Sequence, residues 1–286
     1  MKQNRSRRRT ATETPRTRAA ATGHNAAAPA STPAPAGPRV PLVDAARGVA
    51  ITAMIAYHFC FDLTFYRWAD WPMLVDPRWI AWRSSIVASF LFLVGVSLAL
   101  RDDRDRRVGS TAWTDRGFVR RWAQIAGAAL VVSAGSALLF PASFIYFGVL
   151  HFVAVALWLC RRAPRLGGMA IVAGLVVLAI GLGYSDPRFD PKPIDWIGFA
   201  AEKPITEDYV PLFPWLGVVL IGCGVGALWT RHGFATSPAV ERAWNVVPSA
   251  LRTTWAAMGR RSLTIYLVHQ PLLLGALGLV RWLAPA

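Results

Sequence analysis

Charge is what this sequence has least of. Charged residues make up 16% of its 286 positions, against roughly 25% in a soluble globular chain. Acids are scarcer still, 16 Asp+Glu against 31 Lys+Arg. Hydrophobic residues reach 54% and the mean hydropathy is +0.37. That balance excludes a soluble enzyme and a wholly disordered chain, and long apolar runs point to a polytopic membrane protein. Cysteine is also sparse. Cys60, Cys160 and Cys223 each lie inside an apolar run, and none forms a CxxC pair or has metal-ligand spacing with a histidine. A disulfide-stapled fold and a cysteine metal site are excluded, and the three read as small buried hydrophobes. No metal is expected.

The net charge of +15 invites a nucleic-acid reading, but its distribution argues against one. Residues 1–39 hold eight Lys/Arg and one acid, with almost no large apolar side chain. Such a segment cannot bury enough surface to fold and reads as a disordered basic cytoplasmic tail suited to anionic lipid. The Arg7-Arg8-Arg9 run is followed by no apolar stretch, so it is not a cleaved export signal. Most remaining bases sit in gaps between apolar runs. No nucleic acid is expected.

The fold class expected from Pro41 onward is all-α, a transmembrane helical bundle of about seven spans over 40–286. A span needs about 20 apolar residues. The runs are Leu42–Tyr66, Trp79–Leu100, Phe118–Phe140, Phe144–Cys160, Leu166–Gly183, Pro211–Trp229 and Ser262–Leu283. Residues 240–258 read as an amphipathic stretch at the interface. With the N-terminus inside and the C-terminus outside, 24 of the 31 basic residues fall inside or at inner helix ends. That asymmetry orients the chain and places it in the cytoplasmic (inner) membrane as a multi-pass protein. The outer segment 184–210 carries six acids among aromatics and is long for a connector. It is either a solvated loop or a lid that binds substrate. In the sixth run, Gly222 and Gly226 make a small-xxx-small match, which serves close packing within the chain or in a homodimer.

Ionisable residues inside a span are costly and mark function. In the first run Asp44 and Arg47 are three apart and share a face near the inner boundary, while His58 and Asp62, four apart, share one in the outer half. Arg47 and His58 are eleven residues apart, about 16 Å along a helix, on nearly the same side. Gly48 leaves room for another backbone or a ligand. Arg47 is either an anchor paired with Asp44 or a cation for a phosphate-rich donor. His58 is either a packing histidine satisfied by Asp62 or a reactive imidazole. His151 and His269 lie in later spans. Gln270-Pro271 is expected to bend the last helix.

These residues resemble something known. Asp44-Ala45-Ala46-Arg47-Gly48-Val49-Ala50 followed by His58 resembles the first helix of membrane acyltransferases. The resemblance is strongest to the bacterial relatives of heparan-alpha-glucosaminide N-acetyltransferase, over 40–286. Phe90-Leu91-Phe92-Leu93-Val94-Gly95-Val96-Ser97, Tyr146-Phe147-Gly148-Val149-Leu150-His151, Pro211-Leu212-Phe213-Pro214-Trp215-Leu216-Gly217 and Gly259–Pro271 fit in the same order. Membrane O-acyltransferases share an Arg-then-His first helix and are the nearest rivals. The resemblance implies acyl transfer, usually acetyl, from cytoplasmic acetyl-CoA or another acyl-CoA to a sugar or glycolipid of the cell envelope on the outer face. It also implies family-like positions for Arg47 and His58. The glucosaminide enzyme carries a histidine in the loop after its first helix, where this chain reads Arg67-Trp68-Ala69-Asp70-Trp71; His58 is the substitute.

Thioester acyl transfer needs a base or a nucleophile, and a histidine oriented by a carboxylate serves as either. His58 with Asp62 is the expected catalytic pair, and His151 and His269 are candidate donors to the oxyanion. Arg47, Arg120, Arg121, Arg260 and Arg261 are candidate cations for the CoA phosphates, or ordinary inner-end anchors. The competing function is a transporter or flippase, but no internal repeat of the kind many transporters show is evident.

Overall fold

The structure, a computed structural model, describes residues 40–107, 109, 116–233 and 237–284. The basic tail expected over 1–39 lies outside the described residues. All regular secondary structure among the described residues is helical. Its α-helices are α1 (Pro41–Phe65), α2 (Pro77–Arg107), α3 (Arg116–Leu139), α4 (Val149–Leu159), α5 (Met169–Gly183), α6 (Lys192–Asp195), α7 (Leu212–Arg231), α8 (Pro238–Val246), α9 (Ser249–Arg260) and α10 (Ser262–Leu283). Prolines open α1 and α2, where a missing N–H costs nothing. Asp44 lies in the first turn of α1 and three arginines lie in the last turn of α2, each matching the helix dipole.

Each of the seven expected apolar runs contains a helix, but only α1, α2, α3, α7 and α10 are long and apolar enough to cross a membrane. The α4 helix has 11 residues, about 16 Å at 1.5 Å per residue, against a hydrocarbon core of about 30 Å. It begins five residues later than expected because residues 143–147 bond to the segment before α7 and to α3 instead. Ser143 O accepts from Glu207 N (2.9 Å), Phe147 O accepts from Val210 N (3.3 Å) and Ile145 N donates to Ser136 Oγ (2.9 Å). Non-helical backbone is tolerated within a bundle when protein groups satisfy it in this way. The α5 helix has 15 residues and follows a 3₁₀ turn at Ala163–Leu166.

Glycines set how closely the helices approach. A Cβ on Gly48 would come within 2.6 Å of the Trp255 carbonyl carbon, and one on Gly259 within 2.7 Å of that of Asp44. Thus α9 lies backbone to backbone along the first half of α1. Gly48 admits a helix, resolving the alternative its sequence left open. The amphipathic stretch at 240–258 is split into α8 and α9, and α9 packs on the bundle rather than only lying at an interface. Gly95 of α2 meets Val219 and Cys223 of α7, while Gly174 of α5 meets Gly217. Gly222 and Gly226 face α2 at Phe92, Val96 and Ala99, so the small-xxx-small match is used within the chain.

Leu91, Phe152, Val219 and Cys223 lie in one buried core. A second joins α3 and α4 to α10 through Ile125, Ala129, Leu150, Leu263 and Tyr266. Leu130, Leu138, Val172, Leu175, Leu272 and Leu279 are exposed, the outward apolar surface expected of a bundle in lipid. The α10 helix is continuous through Pro271.

Candidate functional site

Ionisable side chains gather at two levels of the bundle. At the lower level, Arg47 Nη1 donates to Asp44 Oδ1 at 2.7 Å and Nη2 to Ser97 Oγ of α2 at 2.5 Å. The pairing with Asp44 is the expected one, and Ser97 is a second partner from the 90–97 motif. In that motif Gly95 admits α7 and Ser97 holds the arginine. Arg121 lies close enough to Arg47 for their charges to interact. Arg260 and Arg261 are exposed and follow Gly259, which abuts Asp44. Arg120 is exposed on the first turns of α3, and no interaction joins it to Arg47. Arg121, Arg260 and Arg261 thus lie toward the Arg47 end, and Arg120 adjoins Arg121 on α3.

At the upper level α1 and α10 bring two histidines together. The rings of His58 and His269 have centroids 4.9 Å apart, with 65° between their planes. His269 Nδ1 lies 2.8 Å from the Tyr266 carbonyl oxygen. A carbonyl only accepts, so Nδ1 carries the proton and Nε2 presents a lone pair. That Nε2 is buried without a partner. Asp62, expected to orient His58, is turned elsewhere: its Oδ1 accepts from Gln270 Nε2 of α10 at 2.7 Å, and no hydrogen bond joins it to His58. Spacing along α1 identifies the face correctly, but the carboxamide on the neighbouring helix reaches the carboxylate. Asp62 Oδ2 and Gln270 Oε1 are also buried without partners. Three acceptor atoms, on Asp62, Gln270 and His269, thus lack a donor. Buried groups left this way are rare and costly.

His151 is placed differently. Its Nδ1 accepts from Gly148 N at 3.3 Å, and its Nε2 lies 3.0 Å from Ser133 Oγ. Ser133 gives its own proton to Ile145 O at 2.6 Å, so His151 Nε2–H donates to Ser133. Every ring position is used in closing the head of α4, and no interaction joins His151 to the histidine pair. Neither His151 nor His269 presents a free N–H in this arrangement.

Segment 184–210 is a folded strap, exposed along much of its length but anchored by its acids. Asp195 is fully buried; the Tyr146 hydroxyl donates to its carboxylate and the Tyr209 hydroxyl to its backbone oxygen at 2.7 Å. Asp190 Oδ1 accepts from Ala201 N (2.7 Å) and Glu202 N (3.2 Å). Burial pushes the Asp195 carboxyl above the usual carboxylate range, against the lowering effect of Tyr146. Burial, then Asp195 itself, pushes the Tyr146 and Tyr209 phenols up. The strap ends at Asp208, whose Oδ2 accepts from Val149 N at 2.8 Å and from the Tyr266 hydroxyl at 3.4 Å.

Ser97, Tyr266 and Gln270 touch residues picked out by sequence, and Asp208 touches Tyr266, yet none of the four was singled out for this role. Ser97, Tyr266 and Gln270 stood inside motifs that fitted in order. Asp208 had a weaker signal, as the last acid before an apolar run. Among the described residues no group of three His, Cys, Asp or Glu side chains gathers as a metal site.

A helical bundle with apolar membrane-length helices and buried ionisable groups defines a polytopic membrane protein. Residues 39–271 match the family model described as "Heparan-alpha-glucosaminide N-acetyltransferase, catalytic", and the chain belongs to that family of membrane acetyltransferases. No curated protein and no solved structure matches it. The family uses acetyl-CoA as its acetyl donor.

Proposed function

We propose that the protein moves an acetyl group from cytoplasmic acetyl-CoA to the amine or hydroxyl of a sugar or glycolipid on the opposite side of the membrane. The observation that supports this reading best is the His58–His269 pair inside the bundle, where His269 Nε2 and two flanking acceptors, on Asp62 and Gln270, are buried without donors. An acceptor N–H or O–H supplies the missing donor. Arg47, held by Asp44 and Ser97, offers a fixed cation for a CoA phosphate, with Arg121, Arg260 and Arg261 nearby. In this reading the Arg47 end faces the cytoplasm and the 184–210 strap faces the acceptor.

The chemistry balances with these residues alone. Neutral His58 takes the acceptor's proton as its nitrogen or oxygen bonds to the thioester carbonyl carbon. The C–S bond then breaks, and the CoA thiolate takes the proton back from His58 and leaves as the thiol. His269 Nε2, an unpaired acceptor on the facing ring, can share the proton that His58 gains. Asp62 and Gln270 bind and orient the acceptor group.

The test is acetyl-CoA binding and acetyl transfer by the full chain in detergent, with Arg47→Ala and His58→Ala alongside. Arg47→Ala should weaken acetyl-CoA binding. His58→Ala should keep binding and lose transfer by about 100-fold or more, the usual weight of a general base. Wild-type turnover in His58→Ala would sink the mechanism, and no acetyl-CoA binding by folded wild type would sink the function.

A further inference from the structure

We infer that Asp208 is a positioning residue for the histidine pair, acting through Tyr266, so that the 184–210 strap and the intramembrane site form one device. Asp208 lies four residues before α7, yet its half-buried carboxylate sits between the head of α4 and the face of α10. Three features hold it there. Its Oδ2 accepts from Val149 N at 2.8 Å, and Thr206 Oγ1 bridges Asp208 O at 3.3 Å and Phe144 O at 2.9 Å. Gly148 leaves the space: a Cβ there would come within 2.8 Å of the Asp208 carboxyl carbon.

The same Oδ2 takes the Tyr266 hydroxyl at 3.4 Å. Tyr266 in turn fixes His269 twice. Its carbonyl oxygen holds the His269 Nδ1 proton at 2.8 Å, and its ring lies 5.8 Å from the imidazole, centroid to centroid. His269 then faces His58 at 4.9 Å. The chain from strap to reactive pair is continuous: Asp208, Tyr266, His269, His58. Capping α4 explains the bond to Val149 N but not the second bond to Tyr266 on a different helix. Burial also pushes the Asp208 carboxyl above the usual range.

Two readouts separate positioning from capping; only the kinetic one rests on the acetyl-transfer reading. The first is the NMR spectrum of histidine ring carbons in the labelled full chain, assigned by single His→Gln changes. Asp208→Asn keeps an oxygen for Val149 N but alters the acceptor for Tyr266; Tyr266→Phe removes the hydroxyl and leaves the cap untouched. Both variants should move the His269 signal while His232 stays in place, and the double variant should move it no further than the larger single shift. The second readout is acetyl transfer. Each variant should lower kcat by about 10- to 100-fold, because a misplacement of about 1 Å at a reacting group can cost about 100-fold, with KM for acetyl-CoA unchanged. A His269 signal unmoved in Tyr266→Phe, or an Asp208→Asn spectrum in which only His151 moves, would overturn the inference. Should Asp208→Asn fail to fold, Tyr266→Phe decides alone. Absence of transfer by wild type would count against the proposed function, while the NMR result would still decide this one.

Discussion

The crossing of α1 and α9 gives a prediction whose sign follows from backbone geometry. Gly48 and Gly259 bring the two helices into contact with no side chain between them. An alanine at 48 would put its Cβ within 2.6 Å of the Trp255 carbonyl carbon and 2.7 Å of its Cα. Those are backbone atoms, so no rotamer change relieves the clash and α9 as a whole must move. Overpacking of this kind costs about 1–3 kcal/mol. Alanine recovers about 1 kcal/mol over glycine from helix propensity. With no yielding side chain the cost lies at the upper end, giving a net loss of about 1–2 kcal/mol.

Gly127 in α3 provides the matched control, since nothing lies within 4 Å of a Cβ there. Gly127→Ala should gain up to about 1 kcal/mol. At roughly 2–4 °C per kcal/mol for a domain of this size, thermal unfolding in detergent should show Gly48→Ala several degrees below wild type. Gly127→Ala should lie at or above it. The order of the two variants is the test. A Gly48→Ala midpoint equal to or above that of Gly127→Ala would refute the close crossing of α1 and α9.

Two further outcomes follow from the site. Ser97→Ala removes one of the two partners of Arg47, and a hydrogen bond to a charged group is worth about 1.5 kcal/mol or more. Acetyl-CoA binding measured by calorimetry should weaken about tenfold, and unchanged affinity would separate Arg47 from the donor. Asp195 gives a pH signature. Its carboxyl is raised by burial, so the folded chain binds the proton more tightly than the unfolded chain. Its contribution to stability is full below the ordinary carboxylate value and is lost as pH rises through the raised one. Asp195→Asn, which mimics the protonated form, should therefore stabilise the protein near neutral pH by about 1 kcal/mol. The gain should shrink as pH falls toward about 4. Unfolding midpoints of the two proteins that run parallel across that range would show that burial does not raise the Asp195 carboxyl in the folded chain.

The apolar helices were legible because each is long, continuous and apolar, and such segments declare themselves without reference to their neighbours. Their ends were less so. The fourth run looks like a span from Phe144, but residues 143–147 bond to Glu207, Thr206 and Val210 from the strap, about 60 positions away. The site follows the same division. Arg47, His58, Asp62 and His269 could be chosen because ionisable groups inside apolar runs require a reason. The pairing of Asp44 with Arg47 is local, three residues apart, and spacing along one helix suffices to show it. The same kind of spacing assigns Asp62 to His58, because only intrahelical neighbours are visible in it, whereas Gln270 reaches Asp62 from α10.

Composition and hydropathy alone determined that this is an all-helical membrane chain, because removing backbone polar groups from water within lipid leaves few alternatives to the helix. The order of motifs determined its family. Tertiary structure decided which helices touch, since glycines at 48, 95, 174 and 259 act only against a particular partner. It also decided that His58 faces His269, that Asp62 belongs to Gln270, and that an acid from a distant strap reaches Tyr266. Side-chain hydrogen bonds extend only about 3 Å, so which groups pair depends on the packing of whole helices, and spacing along one helix cannot reveal it.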